Sequence, residues 1–414
     1  EQAQGARAPT QRFVDRFAAV YTPAVFALAV ATALLLPWLA GATWLESIYK
    51  ALVLLVIACP CALVISTPVT VVSGLSAAAR RGILIKGGTF LEQARLLKAV
   101  ALDKTGTITE GKPRLVDFKA WGGADEARAK RLAAALASRS DHPVSKAIAA
   151  GLALEAPAVD DFKALAGRGV EGTVEGARLL LGNHRVMHER ELCGPELEAE
   201  LSRHESQGRT ITMLADPDGV LALFAVADTI KESSRTAIAD LAKLGVASVM
   251  LTGDNQATAQ SIATQAGIGD ARGDLLPEAK LDAIRDMQKR YGAVGMTGDG
   301  INDAPALAQA DVGFAMGAAG TDTAMEAADV VIMNDDLRRV AETVRLSRRT
   351  HSILWQNIAV ALGIKSVFLV WAVLGEASMW MAVFADMGAS LLVVANGLRL
   401  LGGRSASAPK SSQA

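Results

Sequence analysis

Three short apolar runs each lead into a turn that contains glycine and aspartate, and these aspartates are candidates for chemistry. The aspartates and the runs before them are Asp103 after residues 100–102, Asp254 after 247–251 and Asp299 after 293–296. A buried strand that ends in a carboxylate and a turn is typical of the active-site edge of an open α/β sheet. A carboxylate there can act as a nucleophile, and aspartyl phosphate is one of its covalent products. Taken alone, Asp103 is equally compatible with a helix N-cap.

A phosphoryl-transfer site with an aspartate nucleophile needs positive charge and hydrogen-bond donors around the incoming phosphoryl group. Asp103 and Asp299 can share a Mg²⁺ ion, which prefers carboxylate, water and phosphate oxygens. Thr252 can donate a hydrogen bond to the phosphoryl group, and Lys280 can neutralise its charge. Each of these residues alone also suits a turn or a solvated helix surface. Their order along the chain, with three of them at predicted strand ends, favours one phosphoryl-transfer site.

The composition indicates a membrane part joined to a water-soluble part. The chain has 414 residues, 51% of them hydrophobic, and a net charge of −1, with a mean hydropathy of +0.28. Four apolar stretches are long enough to span a bilayer, at about residues 21–40, 51–75, 353–374 and 379–401. Buried helices of a soluble protein are the alternative. The near-neutral charge gives no indication of nucleic acid as a partner.

Arginine and lysine lie on one side of these stretches only, which predicts the orientation. The basic residues cluster at 80–86, 338–349 and 399–404, whereas the short loops on the other side carry Glu46 and Glu376. The positive-inside rule then places both termini and the whole middle region in the cytoplasm. We therefore expect a multi-pass protein of the cell membrane.

The soluble middle of the chain shows two kinds of pattern. Residues 82–113 and 225–350 alternate short apolar runs, such as 247–251, 293–296 and 329–333, with helical segments, which predicts a doubly wound parallel sheet. Residues 114–224 carry an alanine-rich helix at 124–138, glycine-rich turns and short strands, which predicts an inserted α+β domain. The remaining predicted segments are a cytoplasmic lead-in at 1–18, membrane helix pairs at 19–81 and 351–402, and a disordered tail at 403–414.

Two of the three cysteines lie within the second apolar stretch, on either side of a proline. Cys59 and Cys61 would point to roughly opposite sides of a regular helix, at about 100° per residue. Pro60 removes a backbone donor, so the helix can unwind and let both sulfurs face one ion. Thiolates favour soft or borderline ions such as Zn²⁺ and Cu⁺, so we expect a metal site and no disulfide framework. Two small buried cysteines near a kink are the alternative.

The ordered motifs resemble the phosphorylation domain of P-type ATPases, within the haloacid dehalogenase-like superfamily, and the resemblance runs over nearly the whole chain. The motifs are Asp-Lys-Thr-Gly-Thr at 103–107, Thr-Gly-Asp-Asn at 252–255 and Thr-Gly-Asp-Gly-Ile-Asn-Asp at 297–303. The resemblance implies that ATP phosphorylates Asp103 and that Asp103, Thr105 and Asp299 hold Mg²⁺. It also implies a set of residues around the phosphorylated aspartate: Lys104, Thr105, Thr252, Gly253, Asp254, Lys280, Asn302 and Asp303.

The resemblance extends to the inserted domain. By themselves, the His-Pro pair at His142 and the Gly-x-Gly at Gly167 are weak signals, and the first is typical of a turn. In the heavy-metal class of P-type ATPases, such residues line the adenine pocket of the nucleotide-binding domain. The resemblance thus implies that His142, Gly167 and Gly169 contact ATP. That class usually has a glutamate five residues before the histidine, whereas this chain has Ala137.

Two charged residues within the last two apolar stretches point, by the same resemblance, to the class of ion. A charged side chain costs about 2.5–3.5 kcal/mol at the centre of a membrane span unless it is paired. Lys365 and Asp386 resemble the pattern of the zinc/cadmium/lead-exporting subgroup. The resemblance implies that Asp386 joins the two cysteines around Zn²⁺, Cd²⁺ or Pb²⁺. It implies that Lys365 is a built-in counter-charge that fills the site once the ion leaves.

Full-length pumps of this class carry more membrane helices and an actuator domain, whose Thr-Gly-Glu loop hydrolyses the aspartyl phosphate. No Thr-Gly-Glu occurs in these 414 residues. We therefore expect the C-terminal part of such a pump, with membrane lipid and a heavy-metal ion as partners. Three origins are compatible with this pattern: a truncated gene, a piece cut from a longer protein, or one subunit of a split pump whose partner is a separate chain with the actuator domain. The competing hypotheses are a copper-exporting P-type ATPase, a membrane-tethered phosphatase of the same superfamily and a non-catalytic metal-binding membrane fragment. Such phosphatases commonly carry an aspartate where Thr105 stands.

Overall fold

The computed structural model describes residues 9–165, 167–317, 321–374 and 378–402. The predicted tail at 403–414 and the first eight residues of the predicted lead-in lie outside the described residues. The chain forms two compact units. The helical unit contains the described residues up to Leu97, together with Asp329–Met333 and those from Arg339 onward. The α/β unit contains the described residues of Lys98–Ala328 and Asn334–Arg338.

Helices and strands alternate along most of the chain. The helices are α1 (Pro9–Ala40), α2 (Trp44–Ala58), α3 (Cys61–Ala79), α4 (Gly88–Gln93), α5 (Glu126–Ser138), α6 (Pro143–Leu152), α7 (His184–Glu189), α8 (Pro195–Glu205), α9 (Glu232–Lys243), α10 (Gln256–Ala266), α11 (Pro277–Tyr291), α12 (Ala304–Gln309), α13 (Asp322–Ala327), α14 (Arg338–Val373) and α15 (Met379–Leu398). The strands are β1 (Ile83–Ile85), β2 (Ala99–Asp103), β3 (Arg114–Ala120), β4 (Asp160–Leu165), β5 (Gly169–Val174), β6 (Ala177–Gly182), β7 (Thr210–Ala215), β8 (Val220–Ala227), β9 (Ala247–Leu251), β10 (Asp270–Arg272), β11 (Val294–Gly298), β12 (Val312–Met316) and β13 (Val330–Ile332).

The helical unit supplies four segments long and apolar enough to cross a membrane: α1, the pair α2–α3, α14 and α15. They match the four apolar stretches that the sequence predicts, except that α14 ends at Val373 and α15 ends at Leu398, before the predicted ends at 374 and 401. Several of their large apolar side chains are exposed, among them Leu39, Trp380 and Phe384. Apolar side chains exposed in such numbers mark a surface that contacts lipid or another protein.

The second of these segments is broken at the Cys-Pro-Cys motif. α2 begins with a capping box, in which Thr43 and Glu46 satisfy each other's backbone N–H groups. It ends at Ala58, and α3 starts at Cys61, because Pro60 cannot donate the backbone hydrogen bond that would continue the helix. The predicted unwinding at this motif is therefore present. Pro68 lies inside α3 and does not end it.

A parallel sheet forms the centre of the α/β unit. Its strands follow the order β12-β11-β2-β9-β10, and each neighbouring pair is parallel. β2 lies in the middle, with Leu102 opposite Thr297 on one side and Met250 on the other. Every residue of β2, β11 and β12 is buried, as expected of strands that helices cover on both faces.

Residues 329–333, which are predicted to be a strand of the parallel sheet, form an antiparallel pair. They form β13, which is antiparallel to β1 in the register Ile83↔Ile332. A run of three apolar residues predicts that a strand is buried, but it does not predict whether the neighbouring strand runs parallel or antiparallel. The direction of the pair therefore depends on the partner strand, β1. The prediction of a strand here is confirmed, and its antiparallel pairing with β1 is a feature that the predicted parallel sheet did not include.

A second, antiparallel sheet carries the inserted domain. Its six strands follow the order β3-β8-β7-β6-β5-β4. The helices α5 and α6 pack on one apolar face, and α7 and α8 pack on the other. The predicted alanine-rich helix is α5, which Asp125 caps by accepting a hydrogen bond from the backbone N–H of Arg128. The predicted fold class, a membrane part plus an α/β sheet with an inserted α+β domain, is confirmed.

Two predicted domain boundaries fall inside regular elements. The boundary between residues 224 and 225 divides β8, which stays paired with β3 as far as Ala227. The boundary between residues 350 and 351 divides α14, a continuous helix of 36 residues. Composition changes at both points, but backbone hydrogen bonding continues through them.

Candidate functional site

Asp103 is the last residue of β2, the central strand of the parallel sheet. The apolar run before it is buried between β9 and β11. The backbone N–H of Thr105 donates a hydrogen bond of 3.0 Å to Asp103 Oδ2, so the chain turns immediately after the carboxylate. The strand thus holds one carboxylate oxygen against the turn and leaves the other, Oδ1, for a different partner.

The turn after Asp103 requires glycine at position 106. Gly106 has a φ of +69°, a backbone conformation that residues with a Cβ adopt only at a cost. A Cβ here would also collide with the carboxylate of Asp299. The glycine of the Asp-Lys-Thr-Gly-Thr motif therefore lets this turn approach the turn that carries Asp299.

The partner of Asp103 Oδ1 is Lys280, which α11 contributes. Lys280 Nζ lies 2.6 Å from Asp103 Oδ1 and 2.7 Å from Asp303 Oδ1, and all three side chains are buried. Burial lowers the pKa of Lys280, but the two carboxylates outweigh it and hold this pKa above its usual value. Lys280 therefore stays protonated and places a positive charge beside Asp103.

Three carboxylates converge at this edge of the sheet. Asp103, Asp299 and Asp303 each bring one oxygen within 4.8 Å of the others. Burial raises the pKa of Asp103 to about 6, and the charge of Asp303 adds to this rise while Lys280 opposes it. Burial, with the charges of Asp103 and Asp303, raises the pKa of Asp299 to about 7. A cation would relieve this crowding of negative charge, and the all-oxygen donor set fits Mg²⁺.

The turn after β9 is joined to the turn after β2. The Lys104 ammonium forms an ion pair with the Asp254 carboxylate. Thr252 is buried, and its Oγ1 accepts a hydrogen bond of 3.2 Å from the backbone N–H of Asp254. Gly253, between Thr252 and Asp254 in the sequence, lines a cavity of about 1010 Å³. The predicted Thr-Gly-Asp residues thus lie at the same edge of the sheet as Asp103.

Two further predicted residues have exposed side chains. Thr105 contacts Asp103 through its backbone N–H, and its side chain faces solvent. Asn302 lies in the 3₁₀ turn Ile301–Asp303 and is also exposed. The structure places both on the turns that carry the site, outside the buried ion-paired cluster.

The three residues that the resemblance assigns to ATP share one cavity in the inserted domain. His142, Gly167 and Gly169 line a cavity of about 590 Å³, together with Phe162 and Asn183. His142 caps α6, because its Nδ1 accepts a hydrogen bond of 3.3 Å from the backbone N–H of Val144. Burial lowers the pKa of His142, which favours the neutral imidazole. The cavity offers an apolar wall, neutral polar atoms and open backbone, which suits a flat heterocyclic ring.

The position at which the class usually has a glutamate lies in the core rather than in this cavity. Ala137 is in α5 and fully buried, within the apolar cluster that packs α5 and α6 on the sheet. A glutamate would bring a charge into that cluster unless α5 were placed differently. The small residue therefore fits the packing of this chain.

A second site lies within the helical unit at the helix break. Lys365 Nζ lies 2.8 Å from Asp386 Oδ1, and it donates hydrogen bonds to the backbone carbonyls of Ile57 and Cys59. The break at Pro60 frees these carbonyls from helical hydrogen bonding. The predicted counter-charge and the predicted anionic ligand are thus direct partners. Asp386 also lines a cavity of about 480 Å³ with Cys59, Pro60 and Cys61.

The structure joins Cys59 and Cys61 in a disulfide, with their Cα atoms 5.4 Å apart. The expectation of two free thiols at this place is therefore wrong for this structure. The break at Pro60 turns both side chains to the same side, as the metal-site hypothesis requires. Two sulfurs close enough to share one ion are also close enough to pair. Binding of an ion by both sulfurs requires the reduced form.

The arrangement of the parallel sheet and its carboxylates matches a known family. The family model of haloacid dehalogenase-like hydrolases matches residues 97–311, which contain β2 to β11 and the three carboxylates. The chain belongs to this family.

Curated relatives narrow the assignment. The chain is 42% identical over 412 residues to the cadmium-transporting ATPase of Staphylococcus aureus, covering 97% of this chain and 56% of that protein. It is 44% identical over 407 residues to the zinc/cadmium/lead-transporting P-type ATPase of Escherichia coli strain K12, covering 97% and 54%. It is 43% identical over 405 residues to the copper-exporting P-type ATPase of Bacillus subtilis strain 168, covering 97% and 50%. Within its family, the chain is thus similar to proteins named as metal-transporting P-type ATPases.

A solved structure agrees with this assignment. The crystal structure of a zinc-transporting PIB-type ATPase in the E2.Pi state matches with a TM-score of 0.79 and 44% identity. The match covers 97% of this chain and 66% of the solved one. This chain spans about half the length of the curated relatives it matches.

Two residues that keep the geometry of these sites were not predicted from the sequence. Asn183 Nδ2 donates a hydrogen bond of 2.9 Å to the carbonyl of Gly167, so it fixes one wall of the cavity around His142. Asp228 follows β8 and accepts hydrogen bonds from Thr109 Oγ1 at 2.6 Å and from the backbone N–H of Gly111 at 3.1 Å. Asp228 follows an apolar run just as Asp103 does, so the same pattern could have indicated it.

Proposed function

We propose that this chain is the catalytic and ion-binding part of a pump that exports a divalent heavy-metal ion, Zn²⁺, Cd²⁺ or Pb²⁺, and is driven by ATP through phosphorylation of Asp103. The observation that carries the proposal is the buried contact of Lys280 with Asp103 and Asp303, beside Asp299. The names of the relatives, which include cadmium, zinc and lead transporters, support this class of transported ion.

In the proposed reaction, Asp103 attacks the terminal phosphorus of ATP. The new bond joins a carboxylate oxygen to phosphorus, and the bond from phosphorus to the bridging oxygen of ADP breaks. Lys280 orients the carboxylate and offsets negative charge on the transferred group. The Lys280 ammonium opposes the rise that burial gives to the pKa of Asp103, and so favours the carboxylate form that can act as the nucleophile. We assign contacts with the phosphoryl oxygens to Thr252 and Lys104, which lie in the turns after β9 and β2.

Mg²⁺, held by Asp103 and Asp299 with Thr105 nearby, would supply positive charge to the phosphate oxygens. The close approach of Asp103, Asp299 and Asp303 supports this role, as do the raised pKa values of Asp103 and Asp299. ATP would place its adenine in the cavity of His142, Gly167 and Gly169, where neutral polar atoms and an apolar wall are available.

For the ion, we propose a site made by Cys59, Cys61 and Asp386, with Lys365 as an exchangeable partner. When no ion is bound, the Lys365 ammonium neutralises Asp386 in an apolar setting. An incoming ion must displace this ammonium, and its departure lets Lys365 return. Two thiolates and one carboxylate suit a divalent borderline ion such as Zn²⁺.

The membrane setting is part of the proposal. The basic clusters at 80–86, 338–349 and 399–404 favour cytoplasmic placement of the α/β unit and of both termini by the positive-inside rule. The proposed partners are membrane lipid, the metal ion and an actuator domain, on the same or on a separate polypeptide.

The test of the catalytic assignment is labelling with ATP that carries a labelled γ-phosphate. We expect an acid-stable, hydroxylamine-sensitive label on the wild-type chain and none on Asp103→Asn, because the amide is not a nucleophile. Asp282→Asn, on the exposed face of the helix that carries Lys280, is the matched control and should label normally. Equal labelling of the wild type and Asp103→Asn would contradict the proposal. A phosphatase would instead release phosphate from small phosphomonoesters without keeping a label.

Copper is the second candidate cargo, because a copper-exporting ATPase is among the relatives. Asp386 distinguishes the two, since Cu⁺ prefers soft sulfur ligands and gains little from a carboxylate oxygen. Asp386→Ala should weaken binding of Zn²⁺ by at least about tenfold, as loss of even an outer-shell partner of a metal site commonly does. Binding of Cu⁺ should change much less. Tighter binding of Cu⁺ than Zn²⁺, with no effect of Asp386→Ala, would favour the copper exporter.

A further inference from the structure

A second group of metal-ligating side chains lies in the inserted domain, apart from the site around Asp103. His184, Cys193 and Glu198 each bring one ligand atom within 4.8 Å of the other two. His184 Nε2 lies 2.8 Å from Glu198 Oε1, and Cys193 is a free cysteine. We propose that these three residues bind a Zn²⁺ or Cd²⁺ ion, independently of the membrane site.

The three ligands lie on or next to two helices, α7 and α8, that pack on the antiparallel sheet. Asn183 caps α7 by accepting a hydrogen bond of 3.2 Å from the backbone N–H of Val186, which makes His184 the first helical residue. Gly194 and Pro195 begin α8 directly after Cys193, so Glu198 falls in its first turn. Both helices are anchored on the antiparallel sheet by buried apolar residues: Val186, Met187, Leu197 and Leu201.

The donor types select the ion. An imidazole nitrogen, a thiolate sulfur and a carboxylate oxygen together suit Zn²⁺ and Cd²⁺, whereas Mg²⁺ and Ca²⁺ prefer oxygen alone. The thiol loses its proton when the ion binds. Three protein ligands leave a fourth tetrahedral position for water.

The distances require only a small adjustment. Ligand atoms around a tetrahedral Zn²⁺ lie about 3.3–3.7 Å apart, given bonds of about 2.0–2.3 Å. The 2.8 Å contact of His184 with Glu198 must therefore open by about half an ångström. Both side chains are partly exposed, at 38% and 41%, so they have room to move.

A cavity next to the three ligands gives a metal ion access to them. His184 and Glu198 line the cavity of about 1010 Å³, together with His188 and Glu205. His184 and His188 are one helical turn apart, with ring centroids separated by 6.4 Å. The imidazoles and carboxylates on this wall would attract a divalent cation before it reaches the three ligands.

The first test uses the purified full chain in detergent under reducing conditions. The chain has three cysteines, so Cys59→Ser/Cys61→Ser leaves Cys193 as the sole thiol. Titration of this variant with Cd²⁺ should produce the ultraviolet cadmium–thiolate absorption at one equivalent. The additional change Cys193→Ser should abolish that absorption. Competition with a chromophoric chelator should show that His184→Gln and Glu198→Gln each weaken Zn²⁺ binding by at least about tenfold.

Glu196→Gln is the matched control, because Glu196 is exposed in the same first turn of α8 and should leave Zn²⁺ binding unchanged. A second measurement does not require a change at Cys193. Zn²⁺ should slow alkylation of Cys193 by a maleimide in the wild-type sequence, and His184→Gln should remove this protection. Absence of the cadmium–thiolate absorption, or an alkylation rate that Zn²⁺ does not change, would overturn the proposal. The three residues would then be a hydrogen-bonded contact between α7 and α8 only.

Discussion

At the scale of single residues, the site around Asp103 depends on one buried cation between two carboxylates. Lys280 reaches Asp103 and Asp303 from α11, and its charge offsets part of the repulsion between them. Removal of one partner from a buried ion group leaves an uncompensated charge, which commonly costs about 3–5 kcal/mol. In the proposed reaction, the same residue therefore serves both stability and the orientation of the nucleophile.

Lys280→Met keeps the length of the side chain and removes its charge. We expect loss of the phosphate label on Asp103, because the carboxylate loses the contact that orients it. We also expect a lower melting temperature in detergent, since Asp103 and Asp303 are left facing each other. Lys289→Met is the matched control on the same helix, where the side chain is 80% exposed. Normal labelling of Lys280→Met would contradict the role proposed for this residue.

At the scale of elements, Asp228 stabilises the segment in which the chain returns from the antiparallel sheet to the parallel sheet. It accepts hydrogen bonds from Thr109 Oγ1 and from the backbone N–H groups of Gly111 and Lys112. These donors lie in the outgoing segment between β2 and β3, and Asp228 lies in the returning segment after β8. One carboxylate thus links the two segments that connect the parallel sheet with the antiparallel sheet.

Asp228→Ala should lower stability, because three donors lose a charged acceptor. A hydrogen bond to a charged group is worth about 1.5–3 kcal/mol, and 1 kcal/mol corresponds to about 2–4 °C in a domain of this size. We therefore expect a fall of several degrees in the melting temperature, measured by circular dichroism in detergent. Asp218→Ala, in the exposed turn between β7 and β8, is the control and should change it little. An unchanged melting temperature in Asp228→Ala would show that these two segments are held by other contacts.

At the scale of the whole molecule, phosphorylation and dephosphorylation place different demands on the chain. The proposed attack by Asp103 needs the residues that already lie together at the edge of the parallel sheet. Hydrolysis of the resulting aspartyl phosphate needs a positioned water and a base. Thr105 stands where phosphatases of the superfamily commonly have an aspartate, and a hydroxyl cannot take that role. The proposed phosphoenzyme should therefore be long-lived.

The 414-residue chain should accumulate label on Asp103 but turn over ATP slowly, with no metal transport into vesicles. The measurement is single-turnover labelling compared with steady-state phosphate release, with and without Zn²⁺. Addition of a separately expressed actuator domain with a Thr-Gly-Glu loop should increase phosphate release, and the same domain with Gln for Glu is the control. Metal-stimulated multiple turnover by the chain alone would mean that another residue performs the dephosphorylation.

The sequence alone determined the features that depend on short-range pattern. Apolar runs followed by Asp and Gly located the strand ends at Asp103, Asp254 and Asp299, because burial and turn formation are local properties of a few neighbouring residues. Pro60 located the helix break for the same reason. The fold class followed from the alternation of such runs with helical segments.

Only the tertiary structure decided which of these residues are partners. Lys280 pairs with Asp103 across 177 residues, and Lys104 pairs with Asp254 across 150, because β2, β9 and β11 happen to be neighbours in the sheet. Strand direction at β13, the pairing of Cys59 with Cys61 and the convergence of His184, Cys193 and Glu198 were likewise beyond local pattern. Strand direction at β13 depends on which distant segment packs beside it. The other two depend on the backbone geometry of short connections, which the spacing of the residues does not specify.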